Sequence, residues 1–119
     1  AQATPAKVAA LAHRNVEVVE IPNSSGRVDL QALLRELGRR GINEVHAEAG
    51  LRLNGSLWRE GCVDELVLYL APILVGDAAR GLFDLPELPS LDRAPRLEWR
   101  DVRRIGPDLR ILARPSGAR

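Results

Sequence analysis

VHAEAGLRLNGS, residues 45–56, has the pattern of a strand that ends at a glycine turn and leads into a helix. The first turn of a helix presents unpaired backbone N–H groups and a partial positive charge, which together favour a phosphate group. Gly50 has no Cβ, so a pyrophosphate can approach the backbone closely there. Gly55 falls inside the helix, where glycine lowers stability relative to alanine, and we therefore expect another segment to pack close to it.

The glycine spacing by itself leaves two interpretations open, a phosphate cradle and an ordinary strand-to-helix turn. The spacing partly matches the nucleoside-triphosphate loop G-x-x-x-x-G-K-[ST], but Ser56 follows Gly55 where that loop has lysine. The dinucleotide-binding pattern G-x-G-x-x-G is absent. The sequence therefore predicts neither a nucleoside-triphosphate loop nor a standard dinucleotide-binding turn.

Two charged residues are candidates for ligand contacts. Glu48 ends the predicted strand, where α/β sheets place ligand contacts, and its carboxylate can accept hydrogen bonds from a ribose or ribityl hydroxyl or can cap the next helix. Arg80, in a long loop, can hold a phosphate, contact an adjacent chain or be a simple surface arginine. His46, inside the strand, is more typical of a packing residue than of a ligand. The aromatic residues predicted to serve in packing are Trp58, Phe83 and Trp99.

Helix-type and strand-type hydrophobic patterns alternate along the first 71 residues. The clearest helix follows Asp29, with leucines at i, i+3, i+4 and i+7 before Gly41. The continuous apolar run from Leu66 to Ala71 predicts a central strand. This alternation predicts an α/β fold with helical crossovers. The predicted elements are helices at 4–13, 30–40 and 50–60, strands at 15–21, 42–48 and 64–71, and a C-terminal antiparallel hairpin of 97–105 and 109–113.

Length and composition narrow the class of protein. The chain has 119 residues, enough for a single domain spanning 1–119. Its net charge of +1 provides no strong field for nucleic acid or an anionic membrane, so neither partner is expected. No apolar run approaches the ~18 residues of a membrane span and nothing resembles a signal peptide, so the expected location is the cytoplasm. With two histidines and one cysteine, far apart, no metal site is expected.

Several motifs, in order, resemble the reductase domain of the bifunctional riboflavin-biosynthesis deaminase–reductase. They are GINE at 41–44, EAG at 48–50, GCVDEL at 61–66 and APILVGDAARGLF at 71–83. The segment DVRRIGPDLR at 101–110 is similar to the last hairpin of that family. The resemblance covers nearly the whole chain from about Val16 onward. It implies a dihydrofolate-reductase-like α/β fold, with a mixed sheet flanked by helices.

The resemblance also implies an activity and a set of site residues. The reaction would be NADPH-dependent reduction of the ribosyl group of 5-amino-6-(5-phosphoribosylamino)uracil to a ribityl group, in riboflavin biosynthesis. Glu48 would contact this small-molecule substrate. The residues that would bind the NADPH cofactor are Gly50, Leu51, Arg52, Leu53, Asn54, Gly55 and Ser56. No catalytic proton donor is assigned.

The family's upstream Ser-Leu-Asp-Gly motif, its Thr-Gly loop and its zinc deaminase half do not occur in this sequence. The sequence is therefore expected to be the C-terminal portion of a reductase domain. Such a portion would expose a sheet edge and apolar surface, so a homodimer or higher homo-oligomer is expected. The alternatives are a non-catalytic nucleotide-binding module, an oligomerisation module, and a related reductase that acts on another pyrimidine or a pterin.

Overall fold

The structure is a computed structural model that describes residues 4–117. It divides into two compact units, one that runs to His46 and one that begins at Ala47. No helix in the described range is long and apolar enough to cross a membrane. Residues 4–117 contain the helices α1 (Pro5–Ala12), α2 (Leu30–Arg39) and α3 (Leu51–Arg59), the strands β1 (Leu66–Leu70), β2 (Leu97–Ile105) and β3 (Asp108–Pro115), and a 3-10 turn (Leu91–Arg93).

The two helices of the first unit begin at side-chain caps. The Thr4 hydroxyl accepts a hydrogen bond from the backbone N–H of Lys7 at 3.4 Å, and Pro5 occupies the first helical position. The Asp29 carboxylate accepts one from the N–H of Ala32 at 2.8 Å. Each cap satisfies a backbone donor that the helix itself leaves unpaired. The helix starts predicted near residues 4 and 30 are confirmed.

Helix α2 ends in a Schellman motif at Gly41. The N–H of Ile42 bonds to the carbonyl of Leu37 and the N–H of Gly41 to that of Gly38, each at 3.0 Å. This closure places Gly41 at a φ of +80°, a conformation that glycine adopts without steric cost. Helix α3 closes in the same way at Gly61. The helix ends predicted at these two glycines are confirmed.

A single arginine ties residues 15–21 to the end of α2 within the first unit. The Arg40 guanidinium donates hydrogen bonds of 2.6 and 2.8 Å to Glu17 and one of 2.7 Å to Glu36. These hydrogen bonds hold the pKa of both carboxyls below the ordinary value. Their stabilisation is present at neutral pH and is lost as pH falls through the lowered carboxyl pKa. Because Arg40 and Glu17 are exposed, the contribution is modest.

The strands predicted at residues 15–21 and 42–48 form no ladder with any described segment. The backbone near them makes one isolated bridge, between Pro22 and Val28. The strand predictions are wrong for the described residues. An alternating hydrophobic pattern indicates that a segment can form a strand, but a strand also needs a neighbouring strand to take its hydrogen bonds. The apolar side chains of these segments that remain exposed are Val16, Val19, Ile42 and Val45.

The second unit contains an antiparallel sheet with β3 between β1 and β2. Ala113 of β3 is fully buried, which places the centre of the packing on the middle strand. The chain passes from β2 to β3 through Gly106 and Pro107, with Gly106 at a φ of +60°. Glycine at the first central position fits a type II′ turn, whose twist suits a two-residue hairpin. The predicted C-terminal hairpin is confirmed.

Strand β1 lies at an edge of the described sheet, so the prediction that it is central is wrong. Its pattern suits burial on both faces, but its side chains Tyr69 and Leu70 are 64% and 57% exposed. The apolar residues 73–75 that follow are 71%, 101% and 76% exposed. Trp99 of β2, predicted to pack, is 61% exposed, so that prediction is also wrong. Hydrophobic periodicity indicates which residues could be buried. It does not show whether another segment is present to cover them.

Candidate functional site

A groove of about 780 Å³ lies at the start of helix α3 in the second unit. This volume is within the roughly 300–1,000 Å³ typical of small-molecule sites. We call it the α3 groove. Its lining residues are Glu48, Ala49, Gly50, Leu51, Arg52, Leu53 and Arg80.

The helix start in the α3 groove has no side-chain cap. Gly50 is the N-cap residue, with φ −81° and ψ 169°, and it supplies no side-chain acceptor. The first-turn N–H groups of α3 belong to residues that line the groove, and they lack the side-chain acceptor that Thr4 and Asp29 supply to α1 and α2. A Cβ placed on Gly50 would have nothing within 4 Å, so this side of the backbone faces open space. An anionic acceptor in the groove would complete the helix start.

The charges that line the groove are two arginines and one carboxylate. Arg52 and Arg80 are exposed, and neither forms an ion pair within residues 4–117. Glu48 is exposed as well and has interactions of its own. Together with the positive end of the α3 dipole, the two guanidinium groups give the groove a positive balance. It is therefore suited to a polyanion that also carries hydroxyl groups.

A close contact between backbones fixes the loop that follows Arg80 against α3. Gly55 is buried, and a Cβ placed on it would lie 2.8 Å from the carbonyl carbon and 2.9 Å from the nitrogen of Asp84. Real Cβ atoms do not approach backbone atoms so closely, so only glycine fits here. The expectation that a segment packs against Gly55 is confirmed.

Side chains of α3 strengthen the same contact. The Asn54 amide donates hydrogen bonds of 3.1 Å to the carbonyls of Ala49 and Leu82, and so joins the turn before α3 to the loop that crosses it. The N–H of Asp84 bonds to the carbonyl of Leu51 at 2.9 Å, and Arg59 donates to the carbonyl of Asp84. The rings of Trp58 and Phe83 meet with centroids 5.8 Å apart, which confirms that these two aromatic residues pack.

The predicted site residues fall into two groups. Glu48 and residues 50–53 line the α3 groove together. The other three support its wall, since Asn54 and Gly55 hold the crossing loop and the Ser56 hydroxyl accepts a hydrogen bond from Arg59 at 3.1 Å. His46 is exposed and outside the groove lining, and Cys62 is half-buried.

Arg80 joins the groove from a distant part of the sequence. The sequence does not decide between a phosphate contact and a surface position for Arg80, because this residue lies in a loop without hydrophobic periodicity. The glycine inside α3 was the available signal, since it indicated that a later segment crosses the helix. Residues 82–84 are that segment, and they bring Arg80 to the mouth of the groove.

Comparison with known proteins identifies the family. The family model described as the RibD C-terminal domain matches residues 1–111. The chain belongs to this family. It is 44% identical over 94 residues to riboflavin biosynthesis protein RibD of Escherichia coli K12, a match that covers 79% of this chain and 26% of that protein. It is 33% identical over 90 residues to the 5-amino-6-(5-phosphoribosylamino)uracil reductase of Buchnera aphidicola subsp. Acyrthosiphon pisum, covering 76% of this chain and 44% of that one.

The fold agrees with a solved structure. RibD of Acinetobacter baumannii, form 2, superposes with a TM-score of 0.80 at 29% identity, over 91% of this chain and 29% of that one. The match confirms the predicted fold class, an α/β fold of the dihydrofolate-reductase-like kind. It also confirms the family resemblance of the sequence motifs. The chain spans about a quarter of the length of the RibD proteins it matches.

Alanine at two helix glycines tests the contact that builds the groove. We expect Gly55→Ala to lower the free energy of unfolding by about 1–3 kcal/mol, because its Cβ overlaps the Asp84 backbone. Gly38→Ala in α2 is the matched control, since a Cβ there has nothing within 4 Å and the change gains helix propensity of up to ~1 kcal/mol. Urea unfolding measures both variants. Equal effects of the two substitutions would show that α3 is not crossed at Gly55.

Proposed function

We propose that this chain forms the cofactor-binding surface, and part of the substrate-binding surface, of a reductase in riboflavin biosynthesis. The reaction is the NADPH-dependent reduction of the ribosyl group of 5-amino-6-(5-phosphoribosylamino)uracil to the ribityl group. The observation that carries the proposal is that the Glu-Ala-Gly motif of the family coincides with an uncapped helix start in a positively charged groove. Membership of the RibD C-terminal domain family and the reductase name of the Buchnera relative support it.

The lining of the α3 groove fits the phosphate-bearing part of a nicotinamide dinucleotide. The first-turn N–H groups of α3 are available as donors, and the open side of Gly50 leaves room for a phosphate against the backbone. Arg52 supplies a positive charge beside them. The choice of NADPH over NADH rests on the family resemblance. Residues 50–53 would contact the cofactor directly, and Asn54, Gly55 and Ser56 would hold the wall against which it lies.

Glu48 is placed to orient the substrate. When bound, the cofactor supplies the hydride for the reduction. Glu48 lines the same groove as the helix start, so its carboxylate can accept hydrogen bonds from ribosyl hydroxyls next to the cofactor. A carboxylate also repels the cofactor phosphates, which favours the hydroxyl-bearing substrate at its position. Binding and orientation are thus the contributions of these residues to the reaction.

We further propose that the protein is a homodimer or higher homo-oligomer. Strand β1 has an outer edge that no described segment covers. The neighbouring residues 73–75 are apolar and at least 71% exposed. Apolar side chains beside an uncovered strand edge favour pairing with a second chain.

A capping substitution separates cofactor binding from stability. Gly50→Asp should stabilise α3 by a few tenths to ~1 kcal/mol, since aspartate caps the free N–H groups and complements the dipole. The same carboxylate occupies the proposed phosphate position, so we expect NADPH affinity to fall about 10- to 100-fold. Calorimetric titration of this chain measures the affinity. Ser90→Asp, which adds an equal charge at an exposed position outside the groove, should leave it unchanged. Unaltered binding by Gly50→Asp would disprove the phosphate site.

Exchange of the groove carboxylate tests substrate orientation. In a chimera in which this chain replaces the matching segment of the E. coli relative, Glu48→Gln should raise the substrate KM about 10-fold or more while the NADPH dissociation constant changes little. Steady-state oxidation of NADPH is the assay. Glu44→Gln, at an exposed position outside the groove, serves as the control. A substrate KM that is the same for both variants would remove Glu48 from the site.

The assembly proposal has its own test. We expect sedimentation analysis to show a dimer or higher oligomer that Leu74→Glu dissociates, because Leu74 is fully exposed beside β1. Leu91→Glu changes a leucine that is 85% exposed in the 3-10 turn, and it should leave assembly intact. A monomeric parent chain, or a Leu74→Glu variant that still assembles, would argue against an interface at β1.

A further inference from the structure

Arg80 is a charged residue of the α3 groove to which no role has yet been given. It lines the groove beside the first turn of α3, is exposed, and makes no ion pair with any residue in 4–117. Some exposed arginines among residues 4–117 have carboxylate partners, as Arg40 has Glu17 and Arg103 has Asp101, whereas Arg80 has none. Arg80 therefore adds to the groove lining a residue whose positive charge no described carboxylate pairs with.

The residues around Arg80 add further positive charge to the groove and do not neutralise the charge of Arg80. Helix α3 has no acidic residue in its first turn, and Arg52 lies there in its place. A cation at this end of a helix is unfavourable because it meets the positive end of the dipole. The groove thus gathers two guanidinium groups and a helix N-terminus against the single carboxylate of Glu48. An anion with more than one negative charge would relieve this repulsion.

The position of Arg80 is held by the chain on both sides of it. Before it, the N–H of Ala79 bonds to the carbonyl of Gly76 at 3.3 Å and closes a turn. After it, Leu82 and Asp84 are hydrogen-bonded to α3 through Asn54 and Leu51. A tethered arginine loses less entropy on binding than one on a free loop, so the site is partly organised in advance.

We propose that Arg80 and the first turn of α3 bind one diphosphate group together. The ligand class is a dinucleotide, and this inference rests on the proposed function of the groove. One phosphoryl group accepts hydrogen bonds from the first-turn N–H groups beside Gly50, and the other accepts them from the planar guanidinium of Arg80. A diphosphate suits this pair of donors because it has two linked phosphoryl groups, whereas an isolated phosphate would leave one donor set unpaired.

Parallel titrations with NADPH, NADH and inorganic pyrophosphate test the assignment. Arg80→Gln should weaken all three by a similar factor, about tenfold or more, because all three contain the diphosphate. Arg80→Lys should recover part of the loss, since lysine keeps the charge but not the two-pronged geometry. The affinity of the parent chain should also fall more steeply with salt than that of Arg80→Gln. Arg104→Gln removes an exposed arginine of β2 outside the groove and should change none of these values.

The possible results distinguish this inference from the proposed function. If the parent chain binds NADPH and Arg80→Gln binds it equally well, the assignment of Arg80 is overturned and the cofactor groove stands. A loss confined to NADPH would place Arg80 at the 2′-phosphate and would overturn the diphosphate assignment. If the parent chain binds none of the three ligands, the proposed function and this inference fail together.

Discussion

The backbone of Asp84 lies against Gly55 of helix α3, and that contact fixes the loop that follows Arg80 against the helix whose first turn lines the groove. A Cβ at position 55 would lie only 2.8 Å from the Asp84 carbonyl carbon, so the loop can cross the helix only over glycine. The crossing loop adds a second side to the groove at the turn that leads into α3. One side is the helix start at Gly50, and the other is the loop that carries Arg80, joined to the first by the Asn54 amide.

The chemistry of the groove follows from what its helix start lacks. Helices α1 and α2 are capped by Thr4 and Asp29, whereas α3 begins at Gly50 with no side-chain acceptor. Leaving backbone donors uncapped reduces helix stability, and the adjacent arginines raise the electrostatic cost further. On the proposed function, a bound phosphate would offset both costs. Sites adapted for ligands often contain such local departures from the most stable arrangement.

The sequence predicted the local elements well and the sheet poorly. Helix starts, helix ends at glycine and the C-terminal hairpin depend on residues close together in the chain, so the local sequence pattern is enough to predict them. The strands at 15–21 and 42–48 and the central position of β1 depended on partners that the pattern cannot specify. In the site, Gly55 predicted that another segment crosses α3. Neither periodicity nor spacing could identify Arg80, because the hydrogen bond that holds the crossing loop joins Asn54 and Leu82, which are 28 positions apart.

The central claim is that one dinucleotide lies across the start of α3, and NMR mapping of NADPH on this chain tests it most directly. We expect the largest shift changes at the backbone amides of residues 50–53, with a further change at the side-chain N–H of Arg80. Amides of the β1–β3–β2 sheet should change little. Saturable changes centred on the sheet, with the amides of residues 50–53 unmoved at saturating NADPH, would contradict the account.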